Sequence, residues 1–358
     1  MSRAVDVAAI APASPDAGAV AHYGDPMREQ RVLATEVGLV DRGHRGVVAV
    51  PGPERLTWLH NLTTQHLLAL SAPVGTETLV LSPHGHVEHH AGVLEDGETI
   101  WLDVEPGTAQ PLLDFLLKMR FLTRVEPRDA TLERAVLSLL GPGTDDALAA
   151  LGATPPPPPD VLPVPGPKFP SGAVPPRPTA RYGVTPLPGG GWVRRGRFGV
   201  DLLVARSRVP EVVAALTDAG VPSCGLWAYE ALRAAARVPR LGWETDHRTL
   251  PMEIDLVASA VHLEKGCYRG QETVARVHHL GRPPRRMVLL HLDGMTTDQL
   301  PAPGAEVLAG ERAVGYVGTA VHHYELGPIA LAVIRRNVPD DAALRVGESA
   351  AAIEPVGA

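Results

Sequence analysis

A proline-dense segment in the middle of the chain sets the first limit on its fold. Twelve prolines fall between Pro155 and Pro178, and five of them, at 155 to 159, are consecutive. Proline fixes φ and lacks a backbone N–H, so neither a helix nor a central strand tolerates this density. We predict a linker or long surface insertion in polyproline-like conformation over residues 154–178, acting as a spacer. A ligand for proline-binding modules is the alternative.

Length and composition describe an ordinary globular protein. The 358 residues, with 45% hydrophobic and 20% charged side chains, are enough for two or three packed domains. The net charge of −7 and the aromatic content of 4% argue against direct nucleic-acid binding. Two cysteines cannot form a disulfide framework, which favours a reducing compartment. No apolar run reaches membrane-spanning length, and we therefore predict a cytoplasmic protein without a membrane partner.

The first 24 residues are rich in alanine and proline. Asp6, Pro12, Pro15 and Asp16 interrupt any apolar stretch, so a signal peptide or a membrane span is not expected. We predict a disordered tail over residues 1–24.

The remainder divides into a mixed region and an all-β region. Helical and strand patterns alternate between residues 25 and 282, which predicts an α+β arrangement. From residue 283 to residue 358, short β-favouring runs alternate with Pro and Gly turns, which is typical of a small all-β barrel.

The octet KGCYRGQE, at residues 265–272, is the strongest candidate for a reactive site. Cys267 is one of two cysteines and stands between Lys265 and Arg269, whose charges favour the reactive thiolate. Only three of the 33 basic residues are lysines. Retention of one here indicates a need for a compact or deprotonatable amine, although chance within a GC-biased composition also accounts for it.

The glycines of the octet and the helix after it add to this prediction. Gly266 and Gly270 leave room for a ligand and can adopt backbone angles that other residues avoid. A three-residue apolar spacing predicts a short helix from Gln271 to Leu280. Its N-terminus would favour a thiolate at Cys267 and suit the carboxylate of Glu272.

Other polar residues could serve a functional site or could simply be structural or solvated side chains. One strand face could bring metal ligands together, but a solvated face in a histidine-rich chain is the preferred interpretation; its residues are His84, His86, Glu88 and His90. An iron–sulfur cluster held by this chain alone is not expected, because the usual clusters need four thiolates.

Cys224 is predicted to be a buried small hydrophobe. The basic run from Arg276 to Arg286 is either a solvated surface or a receiver of an anion such as a ligand carboxylate or an RNA phosphate. The pairs Asp41/His44 and His322/His323 could serve acid–base chemistry, with spacing as their one support.

The octet and the following TVARVHHLGRPPRR closely resemble the signature of the YgfZ family of folate-binding proteins. This family is related to the glycine cleavage T-protein and is implicated in iron–sulfur cluster assembly or repair and, through it, in tRNA modification. Four further segments resemble the same superfamily, and the similarity covers about residues 25 to 355; they are residues 38–52, in which Asp41 and His44 match, 58–67, 250–253 and 315–332.

The resemblance implies a T-protein-like folate-binding core of two similar halves, residues 25–135 and 136–282, followed by the barrel. It implies tetrahydrofolate as the ligand, no permanently bound metal, and an accessory protein rather than a turnover enzyme, with iron–sulfur clients or scaffolds as partners. Cys267 would be the functional thiol, with Lys265 beside it. The implied ligand-binding residues are Gly266, Tyr268, Arg269, Gly270, Gln271, Glu272, Asp41 and His44. The alternative function is that of a folate-dependent aminomethyltransferase.

Two departures from the aminomethyltransferase pattern argue against that alternative. His89 and His90 stand where those enzymes have paired aspartates, and Ala235 stands where they have a pterin-binding glutamate. A pterin ring needs polar partners for its amino and amide edges. The sequence therefore predicts that carboxylates which orient the folate are missing.

Overall fold

A computed structural model describes residues 7–160, 180–280, 282–294 and 299–354. Most of the predicted proline-rich insertion, from residue 161 onward, lies outside the described residues. Among the described helices, none combines the length and the hydropathy required to cross a membrane.

The elements of the first part of the chain begin with a short hairpin and then build most of one sheet. In chain order they are β1 (Ala8–Ala9), β2 (Val20–His22), α1 (Pro26–Thr35), β3 (Gly38–Asp41), β4 (Gly46–Pro51), α2 (Arg55–Leu62), β5 (Val74–Leu81), β6 (Val87–Glu95), β7 (Thr99–Val104), α3 (Ala109–Lys118) and β8 (Arg128–Asp129). Helix α1 starts where it does because the Asp25 carboxylate accepts hydrogen bonds from the N–H groups of Met27 and Arg28, with Pro26 at the first helical position.

The middle and C-terminal parts of the chain follow. They contain β9 (Arg134–Leu140), α4 (Thr144–Ala150), β10 (Gly183–Pro186), β11 (Trp192–Arg195), β12 (Val200–Ala205), α5 (Val209–Asp218), β13 (Ser223–Cys224), α6 (Leu226–Ala235), α7 (Val257–Ala260), α8 (Gln271–Leu280), β14 (Arg285–Leu292), β15 (Glu306–Ala309), β16 (Arg312–His323), β17 (Gly327–Arg335), β18 (Leu344–Val346) and β19 (Ser349–Ile353). Short 3₁₀ helices cover Leu67–Ala69, Arg206–Arg208 and Pro251–Glu253.

Two sheets form the core. The first has the strand order β5-β6-β7-β4-β8, and the second has the order β10-β11-β12-β9-β3-β13. Strand β3 therefore lies in the second sheet, although it belongs to the predicted first half, residues 25–135. The two sheets approach each other at their outer strands, β5 and β10. There, an isolated bridge joins Gly75 of β5 to Tyr182, the residue before β10.

Apolar side chains fill the space around and between the sheets. Helix α3 packs on the first sheet through Leu112, Leu113 and Leu116, whose three- and four-residue spacing places them on one face. A shared cluster joins the two sheets; it includes Val47, Ala49, Leu94 and Trp101 from the first sheet and Val136, Val184 and Leu203 from the second. The sheets are thereby held face to face, and polar residues that point between them are buried.

The barrel predicted from residue 283 onward is confirmed. Strands β14 to β19 close in the order β14-β17-β16-β15-β18-β19. Its interior is apolar, with Leu290, Val317, Ala332 and Ile334 fully buried. Closure removes unpaired strand edges, so a small module of short strands is stable on this scaffold.

The prediction of a disordered tail is wrong for residues 8–22. Strands β1 and β2 pair in an antiparallel hairpin, and the carboxylate of Asp16 is buried against the rest of the protein. Arg240 donates to both oxygens of Asp16, at 2.7 and 3.0 Å, and His44 Nε2 lies 3.2 Å from Asp16 Oδ1. Burial alone raises the pKa of Asp16, but hydrogen bonds from His44 and Arg240 lower it to about 2. The partners lie far along the chain, where local composition cannot reveal them.

Replacing Asp16 by asparagine is expected to loosen the N-terminal hairpin. A charge-assisted pair becomes a neutral one, at a cost of about 1–3 kcal/mol, while Arg240 keeps Glu105 and Glu230 as partners. Limited proteolysis is expected to cut faster within residues 8–22. The exposed Asp218→Asn serves as the control, and equal cleavage rates in both variants would contradict the anchoring role.

Candidate functional site

A partly open cavity of about 130 Å³, with charged side chains in its wall, lies between the two sheets and helix α6. Both sheets contribute charged or hydroxylated side chains to its wall. Those that matter most here are Glu77, His90, Asp103, Tyr182, Arg194 and Arg240.

Arginines and carboxylates alternate around this cavity. Arg194 donates to Asp103 at 2.7 Å and to Asp201 at 2.8 Å. Arg45 lies 3.1 Å from Asp103 and 2.6 Å from Glu105. Burial opposes ionisation of Asp103, but the charges of Arg194 and Arg45 hold its pKa well below the usual range. Buried charges are stable only when paired in this way, so the network fixes the shape of the cavity.

His90, Glu77 and Tyr182 form a hydrogen-bonded group on the cavity wall. His90 Nε2 lies 2.7 Å from Glu77 Oε2, and the Tyr182 hydroxyl donates to Glu77 Oε1 at 2.6 Å. Burial tends to raise the pKa of Glu77, but His90 and the charge of Arg197 bring it down to about 2. Burial and the neighbouring Glu77 raise the pKa of Tyr182 well above its usual value. The Glu77 carboxylate therefore stays ionised and holds the His90 imidazole, while the Tyr182 hydroxyl stays protonated and donates its hydrogen bond.

The sequence singled out only His90 of this group, and named it as a departure from a family pattern. Glu77 comes from the neighbouring strand β5, where Leu79 is the partner of His90 in the register, and Tyr182 precedes β10 in the other sheet. Glu77 therefore places a carboxylate beside His90, although the positions of the paired aspartates are occupied by His89 and His90. A strand-pairing argument between β5 and β6 could have found Glu77, but no local signal indicates Tyr182.

The predicted pair Asp41 and His44 does not act as a pair. Asp41 is exposed, and its carboxylate accepts a hydrogen bond from the N–H of Gly43 at 2.7 Å. His44 lines the cavity and contacts Asp16. His44 Nδ1 is buried and has no hydrogen-bond partner among the described residues.

The octet lies beside the first sheet, and the residues described as lining the cavity do not include it. Lys265 is buried, and its ammonium donates to the carbonyl oxygens of His60, Thr63 and Gln65 at the C-terminal end of α2. Burial lowers the pKa of Lys265 to about 7. Its Nζ also lies 5.1 Å from the ring centroid of the buried Tyr268. The lysine thus connects the octet to helix α2.

The remaining octet residues form an exposed turn and the start of α8. Gly266 and Cys267 are exposed, and Arg269 pairs with Glu88 at 3.0 Å. Gly270 has φ +81°, and a Cβ there would lie 2.6 Å from the carbonyl oxygen of Ser82, so glycine is required. Gln271 and Glu272 open helix α8, and the amide of Gln271 donates to the Lys265 carbonyl oxygen at 3.3 Å.

The two cations expected to hold Cys267 ionised therefore have other partners. Lys265 faces backbone carbonyls, and Arg269 faces Glu88. A thiolate role for Cys267 stays a prediction. The structure shows in addition that the side chain of Cys267 is exposed.

The two thiols are expected to differ sharply in alkylation of the native protein. Cys224 is 2% exposed, and burial raises its pKa to about 12, as predicted for a small buried hydrophobe. Iodoacetamide followed by peptide mass mapping is expected to modify Cys267 first and Cys224 only in denaturant. Equal labelling of both thiols in the folded protein would contradict this arrangement.

Several of the other charged residues that the sequence suggested as site residues form ion pairs within the protein. Glu88 pairs with Arg269 and His90 with Glu77, and within the described residues no group of three or more potential ligands is arranged to hold a metal. In the basic run, Arg285 pairs with Asp246 and Glu253, while Arg286 pairs with Asp340; these contacts leave fewer charges for an external anion.

Comparison with solved structures defines the class of fold. The chain superimposes on the glycine cleavage system aminomethyltransferase T from Bartonella henselae with a TM-score of 0.79, covering 99% of this chain and 94% of that one at 18% identity. The chain therefore has the fold of that T-protein, which confirms the predicted T-protein-like fold with a C-terminal barrel. No protein-family model matches the chain.

The chain is also similar in sequence to curated proteins, most of those named here being aminomethyltransferases. The aminomethyltransferase of Symbiobacterium thermophilum is 28% identical over 311 residues, which is 83% of this chain and 78% of that protein. The aminomethyltransferase of Streptomyces coelicolor is 26% identical over 325 residues, 87% of this chain and 82% of that protein. A chloroplastic protein of Arabidopsis thaliana, described as a transferase, is 27% identical over 305 residues, and the match spans 82% of this chain but 65% of the Arabidopsis protein.

Proposed function

We propose that this protein binds a tetrahydrofolate in the central cavity and uses it in one-carbon transfer of the aminomethyltransferase kind. The observation that carries the proposal is the hydrogen-bonded group of His90, Glu77 and Tyr182 in the central cavity of a T-protein fold. The curated relatives named as aminomethyltransferases support the same reaction class.

The cavity wall suits a folate ring in its chemistry. Phe198 and Tyr229 contribute aromatic rings to the wall, while Glu77, Arg197 and the Nδ1 of His44, which has no partner within the described part of the chain, offer polar groups for the edges of a pterin. When bound, a tetrahydrofolate would supply the nitrogen atoms that accept the one-carbon unit. At about 130 Å³, the cavity resembles engineered cavities of about 150 Å³ that hold benzene. A two-ring pterin therefore needs more room than this volume, which the open side of the cavity or outward movement of side chains would provide.

Ala235 stands where a pterin-binding glutamate was expected, but helix α6 brings another carboxylate to the cavity. Ala235 packs with residues of the barrel, including Leu289 and Leu331, whereas Glu230 on the same helix lines the cavity. Glu230 lies within 3.0 Å of both Arg233 and Arg240, so a carboxylate of α6 is available near the cavity.

Two measurements test the proposal. Calorimetry is expected to show micromolar binding of tetrahydrofolate, and the purified protein is expected to release ammonia from an aminomethyl donor in a tetrahydrofolate-dependent manner. Absence of binding would remove the folate proposal. Binding without ammonia release would remove the transfer step and favour the second candidate below.

The second candidate is an accessory role in iron–sulfur cluster assembly or repair, supporting tRNA modification in the cytoplasm, as the YgfZ-like octet implies. Its specific support is the exposed Cys267 on a turn anchored by the buried Lys265. Client or scaffold proteins would be the partners. In cells that lack the native protein, Cys267→Ala is expected to fail to restore iron–sulfur enzyme activities and oxidant resistance, and Cys224→Ala is the matched control. Full restoration by Cys267→Ala would remove this role.

A further inference from the structure

We propose that three histidines between helix α2 and the octet form an acid-sensitive latch, which releases the octet segment from the end of α2 when His60 and His66 become protonated. The third member of this histidine latch is His262. The latch lies outside the central cavity, and neither function proposed above gives these histidines a role. The inference is therefore independent of the folate site.

The three imidazole rings lie in a row across the boundary between two segments of the chain. His60 is in the last turn of α2, His66 lies just after the helix, and His262 precedes the octet. The ring centroids of His60 and His66 are 4.9 Å apart, and those of His66 and His262 are 5.1 Å apart. Because His60 and His262 are 6% and 7% exposed, water would screen little of any charge on them.

Hydrogen bonds close the same boundary. The His262 N–H donates to the Thr64 carbonyl oxygen at 2.9 Å, and the Thr64 hydroxyl donates to the Ala260 carbonyl oxygen at 2.6 Å. Lys265 donates to carbonyl oxygens at the end of α2, one of which belongs to His60 itself. Separation of the two segments breaks these bonds together, so the histidines lie where a local opening would occur.

Two ring nitrogens show what an added proton would disturb. The Nδ1 of His60 is buried and has no hydrogen-bond partner among the described residues, so a proton there would be an unsatisfied buried donor on a charged ring. The Nδ1 of His262 accepts a hydrogen bond from the Glu264 N–H at 3.3 Å, and protonation would turn this acceptor into a donor. The closed boundary therefore fits neutral imidazoles.

The charges that act on the latch oppose protonation. Burial, followed by the charges of Lys265, His66 and His262, lowers the pKa of His60 to about 4. Burial and the charge of Lys265 also lower the pKa of His66. The other charged groups on neighbouring elements form ion pairs of their own or are exposed; they are Arg55 with Glu95, Glu77 with His90 and Arg197, and the exposed Glu264.

The direction of the pH effect follows from these shifts. In the released segment His60 has its ordinary pKa of 6.5, whereas in the closed state its pKa is about 4. Between pH 6.5 and pH 4 the released state therefore takes up more protons from the solvent, and a falling pH favours release. Below pH 7 Lys265 is protonated in both states and adds no pH dependence of its own.

Hydrogen exchange of the full chain, followed by mass spectrometry, tests the latch. Peptides that cover residues 257–270 are compared at pH 7.5 and pH 5 after correction for the intrinsic pH dependence of exchange. The equilibrium constant for opening of this segment is expected to be about 20-fold larger at pH 5, as linkage between the two pKa values of His60 requires. Peptides from the barrel strands β14 and β17 serve as the internal reference and should show no such increase.

Glutamine variants keep a polar side chain that takes up no proton. His60→Gln is expected to lose most of the increase, and the double variant with His66→Gln is expected to lose nearly all of it. His279→Gln, at an exposed position of α8, is the matched control and should respond as the wild type does. Circular dichroism checks folding, and His66→Gln alone, with a reduced response, replaces His60→Gln if that variant does not fold.

Three results would overturn the proposal. The first is equal opening of residues 257–270 at both pH values in the wild type. The second is an equal increase in the barrel peptides, because acid would then unfold the whole protein. The third is a full wild-type response in the folded histidine variants. None of these measurements uses a folate, so their outcome leaves the proposed function untouched.

Discussion

Replacing Arg194 by methionine is expected to lower the free energy of unfolding by about 3–5 kcal/mol, the usual cost of removing one partner from a buried ion pair. Arg194 is the shared donor of Asp103 and Asp201, and its side chain is 9% exposed. Methionine fills similar space but removes the donor that the two carboxylates share, which leaves Asp103 with Arg45 and Asp201 with Arg42. Urea denaturation measures the change.

The adjacent arginine is a matched control for this effect. Arg195 pairs with Asp145, whose side chain is 59% exposed, so water screens that pair. Arg195→Met is expected to cost no more than about 1 kcal/mol. Similar losses in both variants would mean that the charge network around the cavity does not stabilise the protein.

Replacing Lys265 by methionine is expected to cost about 2–3 kcal/mol at pH 7, because buried carbonyl oxygens lose their donors. The affected oxygens belong to His60, Thr63 and Gln65 at the end of α2. The gain from no longer burying a charged amine offsets part of the loss. Lys118→Met, at an exposed position, is the control and is expected to leave stability unchanged.

The depressed pKa of Lys265 also predicts how the stability difference between the wild type and Lys265→Met changes with pH. Burial lowers the Lys265 pKa from 10.5 to about 7 in the folded protein. Between pH 7 and pH 10.5 the unfolded chain therefore binds more protons, and this lysine adds stability as the pH rises. Below pH 7 both states are protonated and the cost of burial is fully present. The stability difference between wild type and Lys265→Met should grow from pH 7 to pH 10, and a constant difference would contradict the depressed pKa.

Patterns that depend on neighbouring residues were read correctly from the sequence. The short β-favouring runs after residue 283 predicted the barrel, and Cys224 was predicted to be buried. The helix expected at 271–280 is α8. In each case the deciding interactions, such as apolar periodicity and turn chemistry, lie within a few residues.

Sequence patterns failed where the partner of a charge lies far along the chain. Asp16 was read as a breaker of structure, yet Arg240, 224 positions away, orders the hairpin around it. The octet was read as cations gathered around a thiol, yet Lys265 turns inward to α2 and Arg269 to Glu88.

The sequence by itself determined the T-protein-like architecture, the barrel and the position of the thiol motif, because these follow from local patterns and a recognisable signature. Only the tertiary structure decided where the buried charges meet. It joined Glu77 and His90 across paired strands and added Tyr182 from the second sheet. A buried charge is stable only with a partner, and packing of the two sheets selects that partner from distant parts of the chain.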